Sequence, residues 1–193
     1  GIVDHDIIEI SNLSRQILFT KRDIGKKKVI VAKKIIKNIN KKIKVNIYKN
    51  KIDKKNIDQI AKNYPIICDG TDNFKTRYLI NDYCIKNKKI LISAAINKFD
   101  GQLFNFDFRN KSACFRCFMP QVPTEEVNCQ TDGIMTTLAG MAGSLQANEV
   151  IKSILNIKKR KKGNIMIFNS LSSDFRTVKL LKNPDCKNKN LHG

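Results

Sequence analysis

Between residues 29 and 95 two kinds of hydrophobic periodicity take turns, and this alternation restricts the fold more than any other feature of the chain. In "VIVAKKIIKNI" (29–39) apolar residues recur at helical spacing, while the following "KVNIY" (44–48) alternates as a strand does. "KKNIDQIAKNY" (54–64) predicts a second helix, and the continuous apolar run in "PIICD" (65–69) predicts a buried strand. "NFKTRYLINDYCIKN" (73–87) is again helical in period and "KILISAA" (89–95) again a strand. Helices of this length between short strands make βαβ units and a parallel sheet, whose ligands sit beyond the carboxyl ends of the strands. Two acidic clusters, Asp4/Asp6 after the short apolar start and Asp69/Asp72 in "DGTDN", fall at such ends.

The pattern changes from Gly101. "GQLFNFDF" (101–108) alternates like a half-exposed antiparallel strand, and a cysteine-containing loop follows. A long helix rich in small residues is predicted over 133–155, then a hairpin from "NIMIFNS" (164–170) and "FRTVKLL" (175–181). The fold class is therefore α/β, a Rossmann-like, mainly parallel sheet with antiparallel C-terminal strands. At 193 residues and 41% hydrophobic, one compact domain is the expectation. No apolar run approaches the ~20 residues of a membrane span, so a soluble, cytoplasmic protein with no membrane partner is expected. The chain opens with "GIVDHD" and no methionine, and residue 1 reads as the interior of a longer polypeptide.

A net charge of +20 invites a nucleic-acid reading. Yet the charge is spread along the chain, only seven of the 37 basic residues are arginine, and 7% of residues are aromatic. Base readers lean on arginine and single-strand binders on aromatics, so no nucleic-acid partner is expected and the lysines form a solvated surface. The runs 25–44 and 157–163 are the densest places for an acidic partner to dock.

Four groups of residues carry possible chemistry. In "VDHDIIEISNLSRQILF" (3–19) with "GKKKV" (25–29), an acid at a strand end can hold ribose hydroxyls while Asn, Arg and Lys surround a polyphosphate; an ordinary capped loop is the plainer reading. Asp69 and Asp72 can share Mg²⁺ with phosphates, or Asp72 can simply cap the helix starting at Asn73. "CFRC" (Cys114, Cys117) reads as half a zinc site or a redox pair. Cys186 is a third donor, Lys189 prevents a second CxxC, and His192 offers a nitrogen in a tail where a histidine is more often simply exposed. Cys129 precedes the long helix and is either a nucleophile or a small loop thiol. Cys68 and Cys84 read as core residues.

Together "DHDIIEISNLSRQILF", "DIGKKKV", "DGTDNFKTR", "CFRC", "NCQTDGIM" and "AGSLQANEVIK" occur in the order found in the ThiF/MoeB/HesA family, the bacterial relatives of ubiquitin-activating enzymes, which this chain resembles along essentially its whole length. The resemblance implies a single adenylation domain over 1–193 that lacks its N-terminal Gly-rich loop segment. It implies ATP- and Mg²⁺-dependent adenylylation of the C-terminal Gly-Gly of a ubiquitin-like sulfur-carrier protein in thiamine or molybdopterin synthesis, with release of pyrophosphate. On matching positions Asp4 holds the ribose; Ser11, Asn12, Arg15 and Lys28 line the phosphates; Asp72 organises Mg²⁺ with Asn73 beside it; and Arg15, Lys28, Asp72 and Cys129 carry catalysis. Cys114, Cys117 and Cys186 match three of four zinc ligands, Lys189 standing where the fourth cysteine is usual. "RQILFT" and "NCQTDGI" look slightly closer to the thiamine type. A homodimer is implied, with helix 133–155 in or near its contact. Without the Gly-rich backbone donors, these 193 residues alone are expected to bind ATP poorly. A non-catalytic carrier-binding module is the alternative.

Overall fold

A computed structural model describes residues 1–123, 133–157 and 163–192. The chain divides into two compact units, residues 1–64 and 65–193.

In the first unit, strand β1 (Ile2–Val3) pairs in parallel with β2 (Ile47–Tyr48), placing Ile2 opposite Ile47 and Val3 opposite Tyr48. β1 matches the short apolar start, whereas β2 is shorter than the run 44–48 predicts. Helix α1 (Lys28–Ile39) lies where the helical period predicts it and buries Val29, Val31 and Ala32, with Lys34 exposed and Lys28, Lys33 and Lys37 half-buried. It stops at Asn40, whose backbone turns to an extended conformation while still donating to Ile36 O. A short helix α2 (Ile57–Ala61) buries Ile57, Ile60 and Ala61. Two 3₁₀ turns, Ile10–Ser14 and Lys21–Asp23, bridge β1 and α1.

The second unit is a five-stranded sheet in the order β3 (Ile66–Asp69), β4 (Ile90–Asn97), β5 (Asp100–Asp107), β6 (Asn164–Asn169), β7 (Asp174–Lys179). β3 and β4 are parallel, joined by helix α3 (Phe74–Lys86); the other neighbours run antiparallel. Helix α5 (Thr136–Ile154) packs over β4 and β5, burying Leu138 and Ala142 with Ile90, Ile92, Leu103 and Phe168. Alternate residues of β5 point the other way, where Phe104 meets the rings of Phe115 and Phe118 on the short helix α4 (Phe115–Phe118) edge-on. Covered on both faces, β5 is buried from Leu103 to Asp107 instead of alternating with solvent as its sequence predicts. Gly101 leaves no room for a side chain without a shift of its neighbour: a Cβ on it would lie 2.1 Å from the Phe168 ring across the ladder. Cys84 is fully buried, but Cys68 is exposed rather than core, because β3 lies at the edge of this sheet. Among the described residues no helix is long and apolar enough to cross a membrane.

Candidate active site and metal centre

β1 ends at Val3, so Asp4 leaves the sheet at the carboxyl end of its strand, its N–H still bound to Tyr48 O at 3.1 Å. The Asp4 carboxylate folds over the next turn and accepts from Asp6 N–H at 2.8 Å. Asp6 in turn grips Lys28 twice. Its carbonyl accepts from the Lys28 amide at 3.1 Å and its carboxylate from Nζ at 3.0 Å. Partial burial opposes ionisation of Asp6, yet the hydrogen bond and charge of Lys28 outweigh it and hold the carboxyl below its ordinary range. Asp4 and Lys28, expected at opposite ends of a nucleotide, are thus linked through Asp6. The signal that would have singled Asp6 out is the D-x-D spacing itself.

The remaining predicted residues of this unit occupy the first 3₁₀ turn. Asn12 is buried and its Oδ1 accepts from Glu9 N–H at 3.2 Å, while Arg15 Nη1 donates to Ser11 O at 3.2 Å. Ser11 is exposed.

In the second unit the two aspartates of "DGTDN" part company. Asp69, the last residue of β3, is 1% exposed and accepts from Thr71 N–H (2.9 Å), Thr71 Oγ1 (2.7 Å) and Ser93 Oγ (2.6 Å), with Arg77 Nε at 3.5 Å. The paired-carboxylate reading therefore does not hold: Asp69 is consumed in holding the turn. Asp72 is exposed, touched only by Asn73 Nδ2 at a long 3.5 Å among the described residues. Nor does Asp72 cap α3. Asn73 does so, its Oδ1 accepting from Thr76 N–H at 2.9 Å. An exposed carboxylate oxygen set free of structural duty suits Mg²⁺, which takes one or two carboxylates plus phosphates and water.

Cys114, Cys117, Cys186 and His192 converge with all four donor atoms within 4.8 Å of one another. A tetrahedral zinc ion with Zn–S bonds of about 2.3 Å and a Zn–N bond of about 2.0 Å sets S···S separations of about 3.8 Å and S···N separations of about 3.5 Å. The observed values are 3.7 Å for Cys114–Cys186, and 3.3, 3.5 and 3.6 Å from His192 Nε2 to Cys114, Cys117 and Cys186. The residues fit the ion, and His192 takes the place left by Lys189. The plain expectation of an exposed tail histidine is overturned. Consecutive turns, Lys189 N–H to Cys186 O and His192 N–H to Lys189 O, bring the ring back to Cys186, leaving His192 only 5% exposed. Burial, reinforced by the neighbouring thiols, pushes Cys114 up to about 12 and raises Cys186, while burial and the charge of Lys182 lower His192. Without a cation this pocket favours neutral thiols, and a bound divalent ion reverses that balance by stabilising thiolates.

The cysteine knuckle is anchored to α3. Arg116, between the two knuckle cysteines, makes a two-pronged pair with Asp82 (2.8 and 2.7 Å) and lies 4.5 Å over the Tyr78 ring. Asn188 from the tail donates to the same Asp82 at 2.8 Å, and Asn81 Oδ1 accepts from Phe115 N–H at 2.9 Å. Cys129 lies outside the described residues, as do 158–162 of the second basic run.

The sequence matches the ThiF family over residues 1–188. It is 42% identical over 184 residues to a probable molybdopterin-synthase adenylyltransferase of Porphyra purpurea, covering 94% of this chain and 48% of the relative. It is 34% identical over 192 residues to the sulfur carrier protein adenylyltransferase of Thermus thermophilus, covering 96% and 71%. The chain spans about half the length of several curated relatives it matches. In fold it resembles E. coli MccB solved with MccA-N7isoASN, with a TM-score of 0.79 at 22% identity over 96% of this chain and 58% of that one. The architecture is thus a Rossmann-like α/β fold with parallel and antiparallel strands, and the chain belongs to the ThiF family.

Proposed function

We propose that the protein is an adenylyltransferase that activates the C-terminal glycine of a ubiquitin-like sulfur-carrier protein of the molybdopterin type. The observation that supports this most strongly is the family match along residues 1–188, with relatives named for that activity. The reaction joins a carrier carboxylate oxygen to the α-phosphorus of ATP and breaks the α–β phosphoanhydride. Pyrophosphate leaves with the bonding electron pair, and no proton need move.

The difficulty of that step is charge, because an anion approaches a polyanion. Asp4, at the carboxyl end of β1, accepts hydrogen bonds from the ribose hydroxyls. Lys28, aimed by Asp6, and Arg15, with Ser11 and Asn12 in the adjoining turn, offset phosphate charge. Asp72 supplies a carboxylate to Mg²⁺, with Asn73 beside it. When bound there, the metal would supply Lewis-acid stabilisation of the developing phosphate charge. The Cys114–Cys117–Cys186–His192 centre takes Zn²⁺ in a structural role, since all four positions go to protein donors and none stays open for substrate. Cys129, matched through the family motif, is the thiol assigned to take the activated carrier, with AMP as the leaving group. The protein works as a homodimer, supported by the exposed small residues Gly140, Gly143 and Ala147 on α5.

Incubation with ATP labelled at the α-phosphate and a carrier ending in Gly-Gly tests this directly. Label is expected on the carrier and absent from a carrier shortened by its last glycine. Label on neither would overturn the reading.

A further inference from the structure

The buried Asp69–Arg77 pair has no direct part in the proposed chemistry, yet both side chains are fully engaged. Arg77 is 6% exposed; its Nη2 donates to Thr71 O at 2.6 Å and to Ala94 O at 2.9 Å, its Nε faces Asp69 at 3.5 Å, and its guanidinium lies 5.8 Å over the Phe115 ring. From α5, Gln146 Nε2 reaches Asp69 O (2.9 Å) and Ile92 O (2.7 Å), tying the end of β3 to the neighbouring β4.

These bonds converge on one residue. Thr71 has its amide and hydroxyl held by Asp69 and its carbonyl held by Arg77, so each of its polar groups is spoken for. Asn73 is pinned through its side chain to Thr76 N–H. Asp72 is therefore the one exposed residue between two immobilised neighbours, and its Cα–Cβ direction follows from theirs. Stability alone does not explain such a device, because burying an ion pair costs desolvation that a well-packed apolar pair of similar volume avoids. Geometry does: a carboxylate that must meet a metal-bound phosphate gains from being held before the ligand arrives.

We propose that Asp69 and Arg77, acting through Thr71, are positioning residues that fix the direction of the Asp72 carboxylate for Mg²⁺. This rests on the reading of Asp72 given above. In the metal-free native protein, the turn should show high protection against amide hydrogen exchange at position 71.

The test compares Arg77→Lys and the gentler Thr71→Val, which keeps the branched shape and loses only the hydroxyl, with Asp72→Asn. Two quantities are read: metal-free amide exchange at residues 71–73, and the Mg²⁺ concentration giving half-maximal ATP–pyrophosphate exchange in the native full chain. Both positioning variants are expected to exchange these amides about tenfold faster. They are also expected to raise the half-saturating Mg²⁺ of the order of tenfold, as losses of outer-shell support do, with activity recovered at high Mg²⁺. Unchanged amide exchange in both variants overturns the proposal. So does an unchanged Mg²⁺ requirement in both while Asp72→Asn raises it. Should Asp72→Asn itself leave the Mg²⁺ requirement unaltered, the reading of Asp72 falls, and the proposal falls with it by an outcome distinct from the other two.

Discussion

Stripping the metal from the Cys114–Cys117–Cys186–His192 centre should cost the protein most of the cross-link that ties its C-terminal tail to α3. A bound ion would close a loop of about 70 residues between Cys117 and Cys186. Treated as a cross-link, a loop of that length restricts the unfolded chain by about 4 kcal/mol. In a chain of this size each kcal/mol moves the melting temperature by about 2–4 °C, so the expected fall is roughly 8–16 °C. The buried cysteine thiols add to the effect, since each must find a new partner or stay neutral once the cation leaves. Thermal unfolding followed by circular dichroism, with and without a strong zinc chelator, reads the change, and metal analysis gives the stoichiometry. Cys114→Ser should melt low and ignore the chelator, whereas His192→Cys should keep both the metal and the chelator response. A wild-type protein with less than one equivalent of metal and a melting temperature indifferent to the chelator would refute the argument.

Three further outcomes follow from the packing and the charges. Gly101→Ala forces a methyl into the Phe168 ring and should destabilise by about 1–3 kcal/mol in urea unfolding; an unchanged midpoint would mean that the ring yields freely. Phe104→Ala, which empties the centre of the ring cluster facing α4, should cost about 3–5 kcal/mol by the same assay, and a loss below about 1 kcal/mol would contradict the packing described. Burial opposes the charge on Asp82, but Arg116 and Asn188 outweigh it and hold the carboxyl below its ordinary value of 3.8. A depressed acid stabilises above its unfolded pKa and loses that contribution as pH falls through the folded one, so wild type should lose stability on acidification below about pH 4 more steeply than Asp82→Asn. Parallel acid limbs would exclude this role.

Local pattern carried the elements well where burial is local. α1 follows from apolar spacing in "VIVAKKIIKNI", and β6 and β7 from two short runs with a turn between. Where tertiary cover decides, pattern misleads: β5 reads as half-exposed yet is roofed on both faces, and Cys68 reads as core yet lies on an edge strand. In the candidate site the family motifs pointed to Asp4, Lys28 and Asp72, but not to the division of labour between Asp69 and Asp72. Those are chemically identical residues in one turn, and only the position of Asp69 at the buried end of β3 commits it to the turn's own hydrogen bonds. His192 was legible as a donor type but not as a ligand, because its approach to Cys186 depends on how the tail winds. Asp6 was legible as an acid and not as the partner that aims Lys28, a contact spanning 22 residues.

The central claim, that these residues serve adenylylation of a carrier protein, is tested most directly by ATP–pyrophosphate exchange in the native full chain. Thiamine-type and molybdopterin-type carriers ending in Gly-Gly are supplied in turn, with Asp72→Ala alongside. Exchange that requires the molybdopterin-type carrier and is lost in Asp72→Ala is the predicted result. A folded protein that exchanges with neither carrier, or exchanges equally well after Asp72→Ala, would contradict the account.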